Sequence, residues 1–592
     1  MLKEIYDYGR KAKIASAAGF KLKNVKAYIS LSAKGEFVAI DAAPEEKQLC
    51  PDIGSMANGR DKCNILVEKA DIVFAFTDKG KAKNPFYLST LEQAGEYDPF
   101  IRICFNALQN DEAKEKIIAE FRARNYKDGD VISFKVDNLP IERSKAYLSW
   151  WHEFRSNLNA NEEKRNESLC YITGERCEPL KTVPKFSGLF AVGGHTAGDS
   201  LICFDKPTFT SYNLDQAENC TVSENAMTAV NFTLEKLVAS APTVAGTKFV
   251  HWYKEPLPKD NDCDILSAII TPVISDDEEF NKESNQSENQ YQEIVAIQNA
   301  KTLIESVKKG GSPNQLNNRY YILSLSGAGG RVMIRNYQEG SYEQLYENVK
   351  AWYDDLLLVN AKWPSKLNGI YSRLLKHQNG GADIGKRFAS ELAGLDSRII
   401  YAIVNNTPLP DTVAAKALAY IRSDMFSNDD DSKAKGKAPD KLACRILKAW
   451  LIRKEIFEKG TKREDVSMKE SLNEQNQNNA YLAGRMMAVY AKIQETALGD
   501  VGAGVIQRYY TAASTSPALV IGRLSTLSQH HLGKLTKGAN IYYTNILADI
   551  SAKVEGNFPA ALNLEQQSQF ALGYYQQISE LYKKKTDPNE IN

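Results

Sequence analysis

The chain has 592 residues, 43% of them hydrophobic and 25% charged, which excludes a disordered or fibrous protein and calls for about three to four domains instead of one core. Lys plus Arg and Asp plus Glu both number 74, so the whole molecule offers no field for phosphates and any nucleic-acid surface must be a local patch. Nine cysteines lie scattered without the dense spacing of a disulfide scaffold, which fits a reducing cytoplasm. The first segment, MLKEIYDYGRKAKIASAAGF, lacks a secretory pattern. No stretch reaches the roughly 18 apolar residues of a membrane span, so a soluble protein with no membrane partner is expected.

Residues 1–273 read as a mixed, β-rich region. AYISLSAKGEFVAID alternates around Lys34-Gly35, and ADIVFAF and DVISFKV are apolar, β-branched runs with the look of strands. Residues 274–292 are polar and acidic and predict an exposed linker. A middle region, 293–425, holds YYILSLS, GAGG and RVMIRNY, which predict a hairpin with a four-residue loop, followed by a helix from Ser341 to Leu358. A second polar linker, 426–439, turns from acidic to basic.

From 440 to 592 the period becomes helical. LACRILKAWLIRKEIF places Leu442, Ile446, Leu447 and Trp450 on one side, with Arg445, Lys448, Arg453 and Lys454 between them. Five more helical segments follow, predicting a bundle. The fold class is therefore α+β and multidomain, with a β-rich N-terminal region before a C-terminal helical bundle.

Sites of known chemistry are scarce. GAGG at Gly327–Gly330 lacks the GK[ST] of a phosphate loop. Cys170 and Cys177 stand further apart than a usual zinc knuckle, and Cys203, Cys220 and His195 downstream leave a metal site open without a second close pair. None of the six histidines lies in a metal-hydrolase pattern, and no nucleophile elbow occurs. No catalytic residues and no cofactor are expected.

The segment from Cys170 to Val222 stands out for glycine and turn formers. Gly193, Gly194, His195, Thr196, Ala197 and Gly198 predict a loop whose bare backbone amides can approach a partner. A plain hairpin turn remains the alternative. Arg60 and the lysines of TDKGKAKNP, Lys79, Lys81 and Lys83, read as basic loops able to touch phosphates or simply as solvated surface. In the C-terminal helices Arg485, Lys492, Arg508, Arg523, Lys534 and Lys537 alternate with Tyr and apolar positions, as for a bundle facing a nucleic-acid strand.

The order CxxTGE, PKxxG, GGHTAGDSLICFD and SYNLDQAENCTVSENA, followed by YYILSLSGAGGRVMIRNY, NNAYLAGRMMAVYAKIQETA and RYYTAASTSPALVIGRLSTLSQHHLGKL, resembles the large-subunit family of the type I-C CRISPR Cascade. The likeness covers roughly residues 165–582. It implies a non-catalytic subunit that reads the protospacer-adjacent motif on double-stranded DNA, starts strand separation, holds the displaced strand and helps recruit the helicase-nuclease. Implied partners are the crRNA-bound backbone and crRNA-processing subunits, the target duplex, the helicase-nuclease, and small subunits made from its own C-terminal part, for which Met468 is placed as an internal start.

By position the motif readers are Gly193 to Gly198 with Asn213, Gln216 and Asn219, whose amides can bond base edges. His195 stands where the family pattern has Gln, and Asp199 where a small residue is usual, so Asp199 is expected to turn from DNA or to brace the loop. A metal-dependent nuclease assembled from distant carboxylates and a purely structural scaffold are the rival readings.

Overall fold

The structure is a computed structural model, and it describes all residues except 15–17, 55–56, 58, 160–166, 181, 211, 259–262, 271–297, 307–308, 310–316, 360–366, 377–383, 426–437, 500–503 and 584–592. The linker at 274–292 and nearly all of that at 426–439 thus lie outside the described residues. Two compact units emerge: Met1–Ser240 with Gly327–Met333, and Ala241–Ser326 with Ile334–Asn592.

The first unit opens with α1 (Leu2–Lys11), then β1 (Phe20–Lys23), β2 (Ala27–Leu31), β3 (Phe37–Ala42), β4 (Gln48–Pro51) and β5 (Glu68–Lys69). Next come α2 (Ala70–Phe74), α3 (Asp78–Tyr97), α4 (Pro99–Gln109), α5 (Asp111–Ala123), β6 (Val131–Val136), β7 (Leu139–Pro140) and α6 (Leu148–Asn159). A small ribbon of β8 (Ser168–Leu169) and β9 (Arg176–Cys177) precedes α7 (Glu224–Ser240).

The expected β2–β3 hairpin forms, turning at Gly35 with φ +83. β6, the DVISFKV run, lies parallel to β2, giving the strand order β3-β2-β6-β5 with β7 on β6. A parallel pair needs a crossover, and α2 to α5 fill it. Fully buried Ile29, Ile132, Phe134 and Trp151 make its core. Inside it the Glu142 carboxylate accepts from Tyr28 Oη at 2.6 Å and Ser133 Oγ at 2.9 Å, as a buried charge requires.

ADIVFAF is not a strand. Its residues form α2, which ends where Ala75 turns left-handed, and Thr77 then caps α3 by accepting from the Gly80 amide. A short apolar run fits a buried helix as well as a strand, and here the crossover takes it as helix. LFAV forms a 3-10 turn over Phe190–Val192, and Ser200 makes a single β-bridge to Arg331.

The second unit begins with β10 (Thr243–Val244), β11 (Thr247–Tyr253), α8 (Ile265–Ile270), β12 (Arg319–Ala328) and β13 (Arg331–Ser341), strands that run in order across one sheet. The β12–β13 turn is two residues, Gly329 and Gly330 at φ +56 and +79. It is not the four-residue loop expected, because two consecutive glycines can both take positive φ and let the strands pair up to the turn.

Helices follow: α9 (Tyr342–Leu356), α10 (Leu367–Ser372), α11 (Ile384–Glu391), α12 (Leu395–Val404), α13 (Asp411–Asp424), α14 (Lys441–Lys459), α15 (Asn479–Leu498), α16 (Val505–Ala513), α17 (Pro517–Leu532), α18 (Lys537–Ser551) and α19 (Leu564–Leu581). One continuous apolar core runs from Val244 to Ile578. α15 and α19 meet backbone to backbone: a Cβ on Gly484 would stand 2.1 Å from the Phe570 oxygen, and one on Gly573 2.2 Å from that of Tyr481.

Of the cations between the apolar positions of α14, Arg445, Lys448 and Arg453 are buried, not solvated. Arg453 Nε donates to Asp355 Oδ2 at 2.9 Å, Lys448 Nζ to the Asp355 carbonyl at 3.0 Å and Arg445 Nε to the Leu356 carbonyl at 2.8 Å. Arg463 pairs with the other Asp355 oxygen. No helix among the described residues is long and apolar enough to cross a membrane.

Candidate nucleic-acid interface

The loop from Gly193 to Gly198 hangs between the Phe190–Val192 turn and a backbone bridge in which Phe186 and Asp199 exchange N–H···O bonds of 3.0 and 2.8 Å. Its amides are nearly all used within the protein. Gly193 donates to Phe190 O, Gly194 to Leu189 O, Gly198 to His195 O and Ala197 to His195 Nδ1. His195 N–H points at the Asp199 carboxylate, 3.1 and 3.2 Å from its two oxygens, and Asp199 is completely buried. The acid braces the loop from within, as a buried carboxylate must where donors surround it.

The glycines are spent in the same way. Gly193 has φ +87, and a Cβ there would meet the Gly327 carbonyl at 2.8 Å; one on Gly327 would lie 2.2 Å from Gly194 Cα. The tip of the β12–β13 hairpin is thus pressed against the loop. It is fixed further by Ser200 N–H to Gly330 O at 2.8 Å and Val332 N–H to Ser200 O at 3.0 Å. The expected offer of bare amides to a ligand is corrected, since these small residues make room for another piece of backbone. Exposed at the apex are the side chains of His195, Thr196 and Ala197. The hairpin's role here was missed in sequence; its only signal was a run of the smallest residues.

The second candidate segment is less uniform than its spacing suggests. Asn213 is exposed at φ +57. Asn219 turns its Nδ2 inward, donating to the carbonyls of Leu214 (3.3 Å) and Gln216 (3.1 Å). Gln216 is half-buried at φ +44, with Oε1 buried and unpartnered among the described groups. Three exposed aromatics not singled out in sequence share this part of the unit: Tyr171 (72% exposed), Phe190 (70%) and Tyr212 (86%).

The basic candidates separate. Lys79 and Lys81 are exposed in the first turns of α3, Lys81 facing Asp78 at 3.5 Å, and Arg60 is exposed in its turn. Lys83 is buried, its Nζ donating to Ala57 O at 2.7 Å, so it holds a turn and is removed from the phosphate-binding set. TDKGKAKNP is helix, not loop. These residues belong to the elements around the first sheet, while the glycine loop hangs from α7: Ser187 N–H reaches Glu235 at 2.8 Å, and Asn231 Nδ2 the Pro184 carbonyl at 3.0 Å.

In the second unit, Arg485 is also withdrawn, 3% exposed with Nε on Gln577 Oε1 at 2.9 Å. Lys492 pairs with Glu495 at 3.1 Å and sits 3.7 Å above the Tyr582 ring. Arg508, Arg523, Lys534 and Lys537 are exposed. They fall in a stretch, Val505 to Ala548, that contains no Asp or Glu, so their charge is not cancelled along α16, α17 and most of α18.

Among the described residues no group of three or more His, Cys, Asp or Glu side chains is arranged to hold a metal. His251 instead bonds Asp264 at 2.8 Å, and Tyr253 Oη donates to the same carboxylate at 2.8 Å. Burial would raise the Asp264 pKa, but the His251 partner and further donors outweigh it and hold the carboxyl below its usual range.

The family model described as CRISPR-associated protein (Cas_Csd1) matches residues 2–582. The chain belongs to the Cas_Csd1 family. It is therefore a CRISPR-associated protein of the type I-C Cascade large-subunit kind, a Cascade subunit. A search of curated proteins gives no match.

Proposed function

We propose that this Cas_Csd1 protein is the non-catalytic subunit that reads the protospacer-adjacent motif on duplex DNA for a crRNA-guided Cascade, opens the strands beside it and holds the displaced one. The observation that carries the reading is the apex His195–Ala197: exposed side chains on a loop whose neighbouring amides are satisfied internally and which a hairpin tip supports from behind. A rigid exposed apex loses little entropy on binding. His195, Thr196 and Asn213 can bond base edges, and exposed Phe190 and Tyr212 can stack on unpaired bases.

Lys79, Lys81 and Arg60 supply phosphate contacts that set position without reading sequence. The acid-free stretch carrying exposed Arg508, Arg523, Lys534 and Lys537 suits a single-stranded backbone. The crRNA-bearing backbone subunits, the crRNA-processing subunit, the small subunits and the helicase-nuclease are the partners this role requires.

The test is binding of the reconstituted guide-loaded complex to duplexes carrying a library of flanking trinucleotides at fixed salt. His195→Ala with Thr196→Ala should erase the motif preference, at about 1–3 kcal/mol per base pair read, while the complex still assembles. A preference that survives both substitutions refutes this assignment of the reading loop.

A further inference from the structure

Three of the nine cysteines lie at the base of the segment just described, with Cys177 and Cys220 each close enough to feel the charge of Cys170. In the β8–β9 ribbon Ser168 faces Cys177 and Leu169 faces Arg176. Cys170 follows directly on β8, so it stands next to the Leu169–Arg176 pair, one step closer to the turn than the Ser168–Cys177 pair. The chain between them closes tightly: Gly174 N–H bonds Cys170 O at 2.8 Å, and Cys170 N–H bonds Glu175 O at 2.9 Å. Tyr171 N–H to Thr221 O at 3.0 Å draws in the chain next to Cys220.

The sulfurs differ in character. Cys170 is buried, and its Sγ accepts from Ser223 N–H at 3.4 Å. Burial would raise its pKa, but donors from Ser223, Thr173 and Ile172 outweigh that and bring it down to about 7, so it carries substantial thiolate at neutral pH. Cys177 is half-exposed, with its pKa pushed up by burial and by the neighbouring Cys170.

We infer that Cys170 and Cys177 form a peroxide-oxidisable dithiol that closes to a reversible disulfide across the β8–β9 ribbon. Cys177, the more accessible sulfur, loses its proton to solvent and attacks hydrogen peroxide as thiolate; the S–O bond forms, the O–O bond breaks, and the hydroxide released takes up that proton, giving Cys177 sulfenic acid and water. The Cys170 thiolate then attacks that sulfur; the S–S bond forms, the S–O bond breaks and hydroxide leaves. Two thiols are oxidised by two electrons, and one peroxide is reduced to water and hydroxide. The ribbon is joined to the chain beyond Asn219 through Tyr171–Thr221 and Leu180–Val222, so the disulfide stiffens the base of the segment carrying Asn213, Gln216 and Asn219.

The full chain is treated with hydrogen peroxide at neutral pH, alkylated, digested without reductant and mapped by mass spectrometry. The expected product is a Cys170–Cys177 linked peptide that dithiothreitol releases; Cys220→Ser retains it and Cys177→Ser abolishes it. Free Cys170 and Cys177 throughout, a linkage to Cys220 or Cys203 instead, or zinc retained on the thiols that blocks oxidation would each overturn the inference. The wild-type map decides the matter whether or not the variants fold. No nucleic acid enters the test, so its outcome is separate from that of the motif-reading assignment.

Discussion

Two glycine contacts, one in each unit, use the missing Cβ for different ends. In the helical unit Gly484 and Gly573 let α15 and α19 touch along their backbones, both glycines buried among Tyr481, Phe570 and Tyr574. In the first unit Gly193 and Gly327 let a hairpin tip press against a loop whose apex stays in solvent. The first contact joins two rigid elements inside a core; the second props an irregular segment at the surface. A glycine-rich stretch therefore signals a close approach of backbone, and only the surroundings say whether the approaching group is a ligand or the protein itself.

Substitution separates the two uses. Gly484→Ala or Gly573→Ala should cost the helical unit about 3 kcal/mol or more, since neither helix can yield, seen as a melting midpoint lower by roughly 10 °C. An unchanged midpoint would show that the helices have room to part.

The second largest effect concerns the charges buried beside the same core. Burial lowers Lys448 to about 8 against 10.5 for the free side chain, with Asp355 opposing. The unfolded chain then binds more protons than the folded one between those values, so this contribution rises with pH across the window and is lost as pH falls through it. Relative to Lys448→Met, wild-type stability should climb by about 2 kcal/mol over that range; parallel curves in chemical denaturation would refute the buried cation.

Gly327→Ala should leave the melting midpoint within about 2 °C yet weaken motif discrimination about tenfold, roughly 1.4 kcal/mol, because it unseats the apex without opening a core. If discrimination survives intact, the hairpin tip does not support the reading surface. The smallest effects distinguish the lysines of α3. Lys83→Met should cost about 1 kcal/mol of stability and leave the salt dependence of DNA binding alone, while Lys79→Ala and Lys81→Ala should each reduce the salt slope by about 1 at unchanged stability.

Much of the secondary structure was legible because period and punctuation agree with the fold. The bundle segments from Asn479 to Leu581 lie where helical spacing put them, and β2, β3 and β6 where alternation or β-branching did. ADIVFAF was not legible, since a short run with six apolar residues satisfies a buried helix and a strand alike. Of the candidate site, His195, Thr196 and Asn213 are exposed as a reading surface requires, whereas Asn219 and Lys83 spend their donors on nearby carbonyls. Residue type alone cannot show that, because an amide or ammonium group serves a turn as readily as a phosphate or a base.

The sequence by itself determined the family, through ordered motifs spread over most of the chain, and the change from a β-rich beginning to a helical end, through hydrophobic period. Tertiary structure decided which polar groups remain available. Arg453 and Arg485 look like surface charges in the string of letters but are buried, because distant elements supply their partners, Asp355 and Gln577. Burial and hydrogen bonding depend on residues far apart in the chain, and local pattern carries no record of them.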